Sequence, residues 1–506
     1  MKNTQTDRKE QYIKYGVNTL LFIFTLLAIY TSFNVLLTNR SLWVDEAMLA
    51  YSLTERGLGN LTSGVFEWVQ SAPVIYLYVV KIITLIGGNS EFTLRLWSFI
   101  AYIGILFCSY YISGAILRVK FPLMAVAFIS NLPSMIYFAS EFKPYITDVL
   151  SIMLVIIFYY RYQEKKINLY VLAVIYAFIL WLSNPCCFFI AGIWGLDSVN
   201  CIIRKEYKEI KKYILAGLII FVSFIVYYLY WLKPVIDAGD MTEYWENSNF
   251  CLVPTSMEDV YGISTSIKEI LYTLNEYRFI ILGVVLIGAI YNIFVEKNKY
   301  INRILGGLFI TLVASWLGMY PVTSRLYLYF TPLLVILFFF YIDKLYSKKK
   351  VLNAIVLAVS LFFVFSTKGF IFYHNKDNHY RILNETNPAL DYIEDHVRSG
   401  DKVFIYNYAV PGFYYKYRDK TDKASIGSYK NNVILAEVAL LKYSNTNDLD
   451  TIVNNTPIYI LTSHSANNTV NMNPLIDSLI HRGNLDLVYE KYNTYVYYYT
   501  IKDSIR

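Results

Sequence analysis

Residues 73–87 read PVIYLYVVKIITLIG, and whether this run crosses the membrane decides how the whole chain is laid out. Counted as a span, it puts Arg118–Lys120 and Arg161–Lys166 on opposite sides of the bilayer. Short basic loops belong on the cytoplasmic side. The run is therefore expected to be an interfacial or re-entrant helix, opened by Pro73 at a first-turn position and carrying Lys81 near its middle. The other basic clusters, Lys2–Lys14, Arg204–Lys212, Glu296–Arg303 and Lys344–Lys350, then also fall inside. About eleven spans remain, at 15–37, 93–117, 121–139, 145–160, 168–183, 186–203, 213–233, 278–295, 303–320, 325–343 and 351–367. With a cytoplasmic N-terminus, an odd count puts the C-terminal part outside.

Composition agrees. Of 506 residues, 56% are hydrophobic and 16% charged, against roughly 25% charged in soluble domains. Many of the 49 tyrosines, such as Tyr159, Tyr160, Tyr227, Tyr228 and Tyr230, mark segment ends, where an amphipathic ring suits the headgroup layer. The net charge of +7 is carried by short loops between spans, so no nucleic-acid partner is expected. Tyr15–Leu37 is too long for a cleaved leader and is expected to be an uncleaved anchor. Four of the five cysteines lie in expected spans, so no disulfide framework is implied. All five histidines, His374, His379, His396, His464 and His481, follow residue 367 without metal-ligand spacing, which excludes histidine catalysis in the membrane part. Neither a nucleotide-binding loop nor a transporter-like repeat is visible.

Two domains are expected, a membrane domain over 1–367 and an extracytoplasmic α/β domain over 368–506. In the second, ALDYIEDHV and VILAEVALLK have helical spacing, KVFIYNY and PIYILTS have strand composition, and LDLVYEKYNTYVYYYTI reads as a hairpin around Asn493. The outer surface of the membrane domain collects residues 38–92, 140–146, 233–277 and 320–325. Its loop 234–277, acidic and aromatic (DAGDMTEYWENSNF), is long enough for a lid or acceptor-facing role. In the first loop, WVDEAMLAY places Asp45 and Glu46 where the chain leaves the hydrocarbon.

The strings WVDEAMLAY, SAPVIYLYVVKIITLIGGNSEFTLRLWS, EFKPYITDV and YPVTSRLYLYFTPLL together resemble the GT-C membrane glycosyltransferases. The likeness is to the protein O-mannosyltransferase and aminoarabinose transferase group (glycosyltransferase family 39-like), and covers roughly residues 15–343. It implies an all-α polytopic fold and transfer of a sugar, with inversion, from a polyprenyl-phosphate donor to an extracytoplasmic acceptor. That acceptor is a lipid, a glycan or a protein. The expected location is a bacterial inner or cell membrane, among membrane lipids. One proline stands here where many relatives have two, and the tail is unlike a family-wide module.

Such a transfer needs a base for the acceptor hydroxyl and cations for the leaving phosphate, both at the membrane surface. Adjacent residues on a helix point roughly 100° apart, so one of Asp45 and Glu46 can face the site while the other does structural or metal work; Asp45 is the expected base. The alternative is that the pair caps helix AMLAYSLTERG. Asp148, near the outer end of its span, is a second acidic candidate, its alternative being a surface carboxylate in a first helical turn. Asp45 and Asp148 also offer the oxygen ligands that a divalent Mg²⁺ or Mn²⁺ takes. Arg95, Lys143 and Arg325 are the expected phosphate clamps, with snorkelling anchors as the alternative. A flippase or polymerase-like carrier of lipid-linked glycans is the competing function. It calls for charges along a mid-membrane path, whereas the acids here gather at one surface.

Overall fold

The structure, a computed structural model, describes residues 2–239, 245, 248–346, 349–367, 369, 384–398, 401–405, 407–418, 434–437, 449, 452–454, 456–463 and 473–501. His374, His379 and His464 lie outside them. Helix α1 (Lys2–Leu37) is followed by two helices of the loop expected to be the first outer one, α2 (Val44–Glu55) and α3 (Val74–Gly87). Then come α4 (Glu91–Tyr111), α5 (Leu123–Ser130), α6 (Pro133–Phe138), α7 (Tyr145–Gln163), α8 (Leu169–Ile179), α9 (Cys186–Ile203) and α10 (Tyr207–Tyr227). The short α11 (Lys233–Asp237) leads into the long outer loop, which holds α12 (Met257–Ile270). The bundle closes with α13 (Arg278–Tyr291), α14 (Lys299–Trp316), α15 (Phe330–Asp343) and α16 (Lys350–Ser366).

Six helical rods among the described residues are long and apolar enough to cross a membrane: Gln11–Leu37, Glu91–Ile116, Tyr145–Gln163, Cys186–Ile203, Tyr207–Asp237 and Arg278–Glu296. Each expected span holds one helix except 121–139, which breaks into α5 and α6. Pro133 causes the break: its ring pushes the preceding residue out of the helical region, and Leu132 sits at φ −68°, ψ 128°. Where α9 and α14 cross, a Cβ on Gly192 would stand 2.6 Å from the Gly306 carbonyl oxygen, so only glycine permits this backbone contact. The short α3 begins right after Pro73 and buries Lys81, whose Nζ donates to the carbonyls of Leu53 (2.9 Å) and Thr54 (3.2 Å). That ammonium satisfies two orphan acceptors at the C-terminus of α2 and fixes the outer-loop pair as one unit.

The C-terminal domain is a five-stranded sheet of order β2-β1-β3-β5-β4. Strand β1 (Lys402–Ile405) runs parallel to β2 (Ile434–Glu437) and β3 (Ile458–Ser463), while β3 pairs antiparallel with β5 (Thr494–Ile501). The hairpin of β4 (Gly483–Lys491) with β5 turns at Tyr492 and Asn493, both at positive φ (42° and 55°), as a two-residue loop of right-handed twist requires. VILAEVALLK is corrected in part: its residues 434–437 form strand β2 rather than helix, because pairing with β1 outweighs the helix preference of Leu-Ala-Glu. Helices α17 (Thr386–His396), α18 (Val410–Tyr417) and α19 (Asn473–Arg482) complete the domain, and α18 packs on α2.

Candidate active site

The site is built where the chain leaves α1. Trp43 precedes α2, and Asp45 and Glu46 occupy its first turn. Glu46 turns inward and is fully buried. Its carboxylate accepts from Arg95 Nε (2.8 Å) and Nη2 (2.6 Å), from the Phe142 amide (2.6 Å) and from the Trp43 amide (3.3 Å). Burial pushes the Glu46 carboxyl up, but the Arg95 charge and these hydrogen bonds hold it below the ordinary range. A buried pair of this kind stands because four donors satisfy one carboxylate.

Arg95 is thereby removed from the expected phosphate clamp. Its guanidinium is 1% exposed and donates, besides the Glu46 pair, to the carbonyls of Arg40 (2.7 Å) and Ser41 (3.1 Å). The arginine sits one turn inside α4, under the first outer loop, and ties that loop to the bundle. Arg40 in turn donates to the Ser140 hydroxyl (3.2 Å) and carbonyl (3.0 Å), which draws residues 140–146 to the same place.

Asp45 turns outward. Its Oδ2 accepts from Arg325 Nη1 at 2.8 Å, with the two side chains 26% and 22% exposed. Arg325 comes from the turn before α15, and its Cζ lies 5.8 Å from the Trp43 ring, 6.0 Å from Tyr145 and 5.5 Å from Trp245. Trp245 belongs to the long outer loop, which is further joined to the 320–325 turn through Val322 N to the Ser248 carbonyl (2.6 Å). Lys143 is buried beside this pair, with Asp45, Arg325 and Glu141 as its charged neighbours and Gln70 Oε1 as its acceptor at 2.8 Å. Burial pulls its ammonium down from the ordinary lysine value.

Asp148 is 5% exposed in the first turn of α7, its Oδ1 without a hydrogen-bond partner among the described residues. Its charge reaches the buried hydroxyls of Tyr76, Tyr227 and Tyr329. Among the described residues no group of three or more His, Cys, Asp and Glu side chains is placed to hold a metal ion. Asp45, one of the two carboxylates expected to hold a divalent cation, is engaged by Arg325 instead.

Glu141 was legible only as a neighbour of Lys143. It is 1% exposed, accepts from Trp43 Nε1 at 3.0 Å, and leaves Oε2 without a partner among the described residues. Burial, and then the charge of Glu46, push its carboxyl up to about 8 against the pull of Arg325, Arg40 and Lys143. The acid-x-base order of EFKPY is the signal that could have singled it out. Trp43, Gln70 and Tyr145 carry no such signal, since aromatic and amide side chains are common at membrane edges.

No protein-family model and no curated protein sequence matches the chain. Among solved structures, ArnT from Cupriavidus metallidurans in the apo state is similar with a TM-score of 0.55 at 10% identity, over 96% of this chain and 98% of that one. The same protein bound to undecaprenyl phosphate is similar with a TM-score of 0.53 at 11% identity, over 95% and 98%. The likeness is one of fold: over nearly its whole length the chain shares the fold of that protein.

Proposed function

We propose that the protein transfers a glycosyl group from a polyprenyl-phosphate donor to a hydroxyl or amine acceptor on the extracytoplasmic side, with inversion at the anomeric carbon. The observation that carries this reading is the Asp45–Arg325 pair. It is about a quarter exposed, walled by three aromatic rings, backed by Lys143, and stands at the outer-loop end of the helices. Support comes from the fold, shared with a protein that has been captured with undecaprenyl phosphate.

In this mechanism Arg325 takes the donor phosphate, exchanging Asp45 for a phosphate oxygen, and Lys143 adds a second positive charge. Arginine suits two phosphate oxygens at once, and lysine acts as a point charge. Asp45, released from its partner, accepts the acceptor's proton while the acceptor atom bonds to the anomeric carbon. The bond from that carbon to the phosphate oxygen breaks, and its electron pair leaves with the phosphate. Glu46 and Arg95 hold the first turn of α2 in place. Asp148 and those tyrosines border the sugar. The carrier reading loses ground in the spans, where Asp197 and Arg303 close on each other with the Tyr159 and Tyr213 hydroxyls instead of lining a path.

Arg325→Ala removes a charge-assisted contact of about 1.5–3 kcal/mol, so transfer from a polyprenyl-phosphate sugar should fall by at least tenfold. Arg325→Lys should restore part of it, because the charge returns without the fork. Wild-type turnover by Arg325→Ala would overturn the phosphate role.

A further inference from the structure

Residues 66–70 are the oddest backbone near the site. Trp68 (φ 52°, ψ 27°) and Val69 (φ 52°) are consecutive left-handed residues without a glycine. For a β-branched valine that region is a true outlier, and such conformations persist only where the surroundings over-determine them. Three contacts do so here. The Glu67 amide donates to the Ser52 hydroxyl of α2 (3.1 Å), and the Gln70 amide donates to the Glu67 carbonyl (3.4 Å). The Trp68 ring meets Tyr51 of α2 at 5.7 Å and Tyr414 of α18 at 6.1 Å, and those two tyrosines meet each other at 5.4 Å.

The three-ring contact crosses a domain boundary. Trp68 packs against the apolar cluster of the C-terminal domain formed by Val410, Phe413 and Tyr417, while Tyr415 of that domain is buried in the cluster beneath the outer loops. The two domains thus exchange side chains at this point, and Tyr415 and Arg418 both donate to the Asn89 carbonyl (3.1 and 2.9 Å). What the contorted turn delivers is Gln70. Its Oε1 accepts from Lys143 Nζ at 2.8 Å, and its Nε2 reaches Met48 Sδ of α2 at 3.5 Å.

We propose that Gln70 is a positioning residue for Lys143, and that the C-terminal domain sets its place by adding Tyr414 to the three-ring cluster that holds Trp68 against Tyr51. This rests on the reading of Lys143 as a phosphate-binding group. An ammonium on a four-carbon stem has many rotamers, and a fixed carbonyl acceptor at its tip selects one of them before the donor arrives. Left alone, the buried ammonium would be drawn to the charge of Asp45. The tail domain thereby takes part in donor binding through Trp68 and Gln70.

The probe is polyprenyl phosphate itself, whose affinity for the full-length protein in detergent is measured without turnover, alongside donor KM and kcat. Gln70→Leu should weaken polyprenyl phosphate binding and raise donor KM by about tenfold, with kcat within about twofold. The double variant Gln70→Leu with Lys143→Met should bind no worse than Lys143→Met alone. Tyr414→Ala should reproduce Gln70→Leu, and Tyr414→Phe, which keeps the ring, should bind as wild type. Unchanged binding by Gln70→Leu while Lys143→Met binds more weakly overturns the positioning role alone. A Gln70→Leu factor that multiplies in full onto Lys143→Met overturns it too. Wild-type binding by Lys143→Met removes the phosphate reading of that lysine, and the inference with it.

Discussion

At the scale of single residues, the adjacent carboxylates divide their work by helix geometry. Positions one apart on α2 point roughly 100° apart, so Glu46 meets Arg95 in the interior and Asp45 meets Arg325 at the open side. The sequence carried this division in the spacing alone. It could not say which of the basic residues would go to which acid, because Arg95 and Arg325 are alike in type and both stand at helix ends. Only packing separates them: Arg95 is 1% exposed and Arg325 22%. Glu141 is the residue with a pH signature. Its carboxyl, raised to about 8, holds a proton in the fold that it would lose near pH 4 in the unfolded chain. The stability it contributes is therefore complete below the unfolded value and is lost as pH rises through about 8. Glu141→Gln mimics the protonated form. The Tm of the wild type in detergent should thus fall more steeply between pH 5 and pH 9 than that of Glu141→Gln. Parallel slopes would show that the carboxyl is ionised throughout.

At the scale of elements, the outer loop works as a scaffold because its two helices are joined end to side. Lys81 of α3 was visible in the sequence as a charge in the middle of an apolar run that the basic loops kept from being a span. Its use as the C-terminal partner of α2 was not visible, since nothing local links residue 81 to the carbonyls of Leu53 and Thr54. Lys81→Met keeps the apolar stem and deletes both donations, leaving two carbonyls unpaired. Hydrogen bonds from charged donors contribute about 1.5–3 kcal/mol, so a measurable drop in Tm is expected, and donor KM should rise as the first turn of α2 loosens. A Lys81→Met protein with unchanged Tm and KM would show that α3 does not hold α2. Breaks within elements were equally hard to place. The apolar content of 121–139 reads as one span, and only the local effect of Pro133 divides it. In the tail, 434–437 was taken by a strand partner far away in sequence.

At the scale of the whole molecule, the membrane class and the α/β tail were legible from hydropathy and strand composition. The mutual docking of tail and membrane domain was not, because it depends on single side chains such as Trp68 and Tyr415 crossing between clusters. A topology with both parts on one side follows from the contacts. Cysteine labels at Ser63 and Glu490 should react with the same membrane-impermeant reagent, and labelling from opposite faces would refute the interfacial placement of α3. The central claim is that Asp45 takes the acceptor's proton once the donor phosphate has drawn Arg325 away. Asparagine keeps the size and hydrogen-bonding reach of aspartate and ranks with it as a helix cap, but cannot take the proton. The decisive measurement is therefore Asp45→Asn in proteoliposomes, with polyprenyl phosphate binding and sugar transfer followed on the same preparation. The account predicts that binding is retained while transfer falls by roughly 10²–10⁴-fold; a folded Asp45→Asn protein that transfers at the wild-type rate would contradict it.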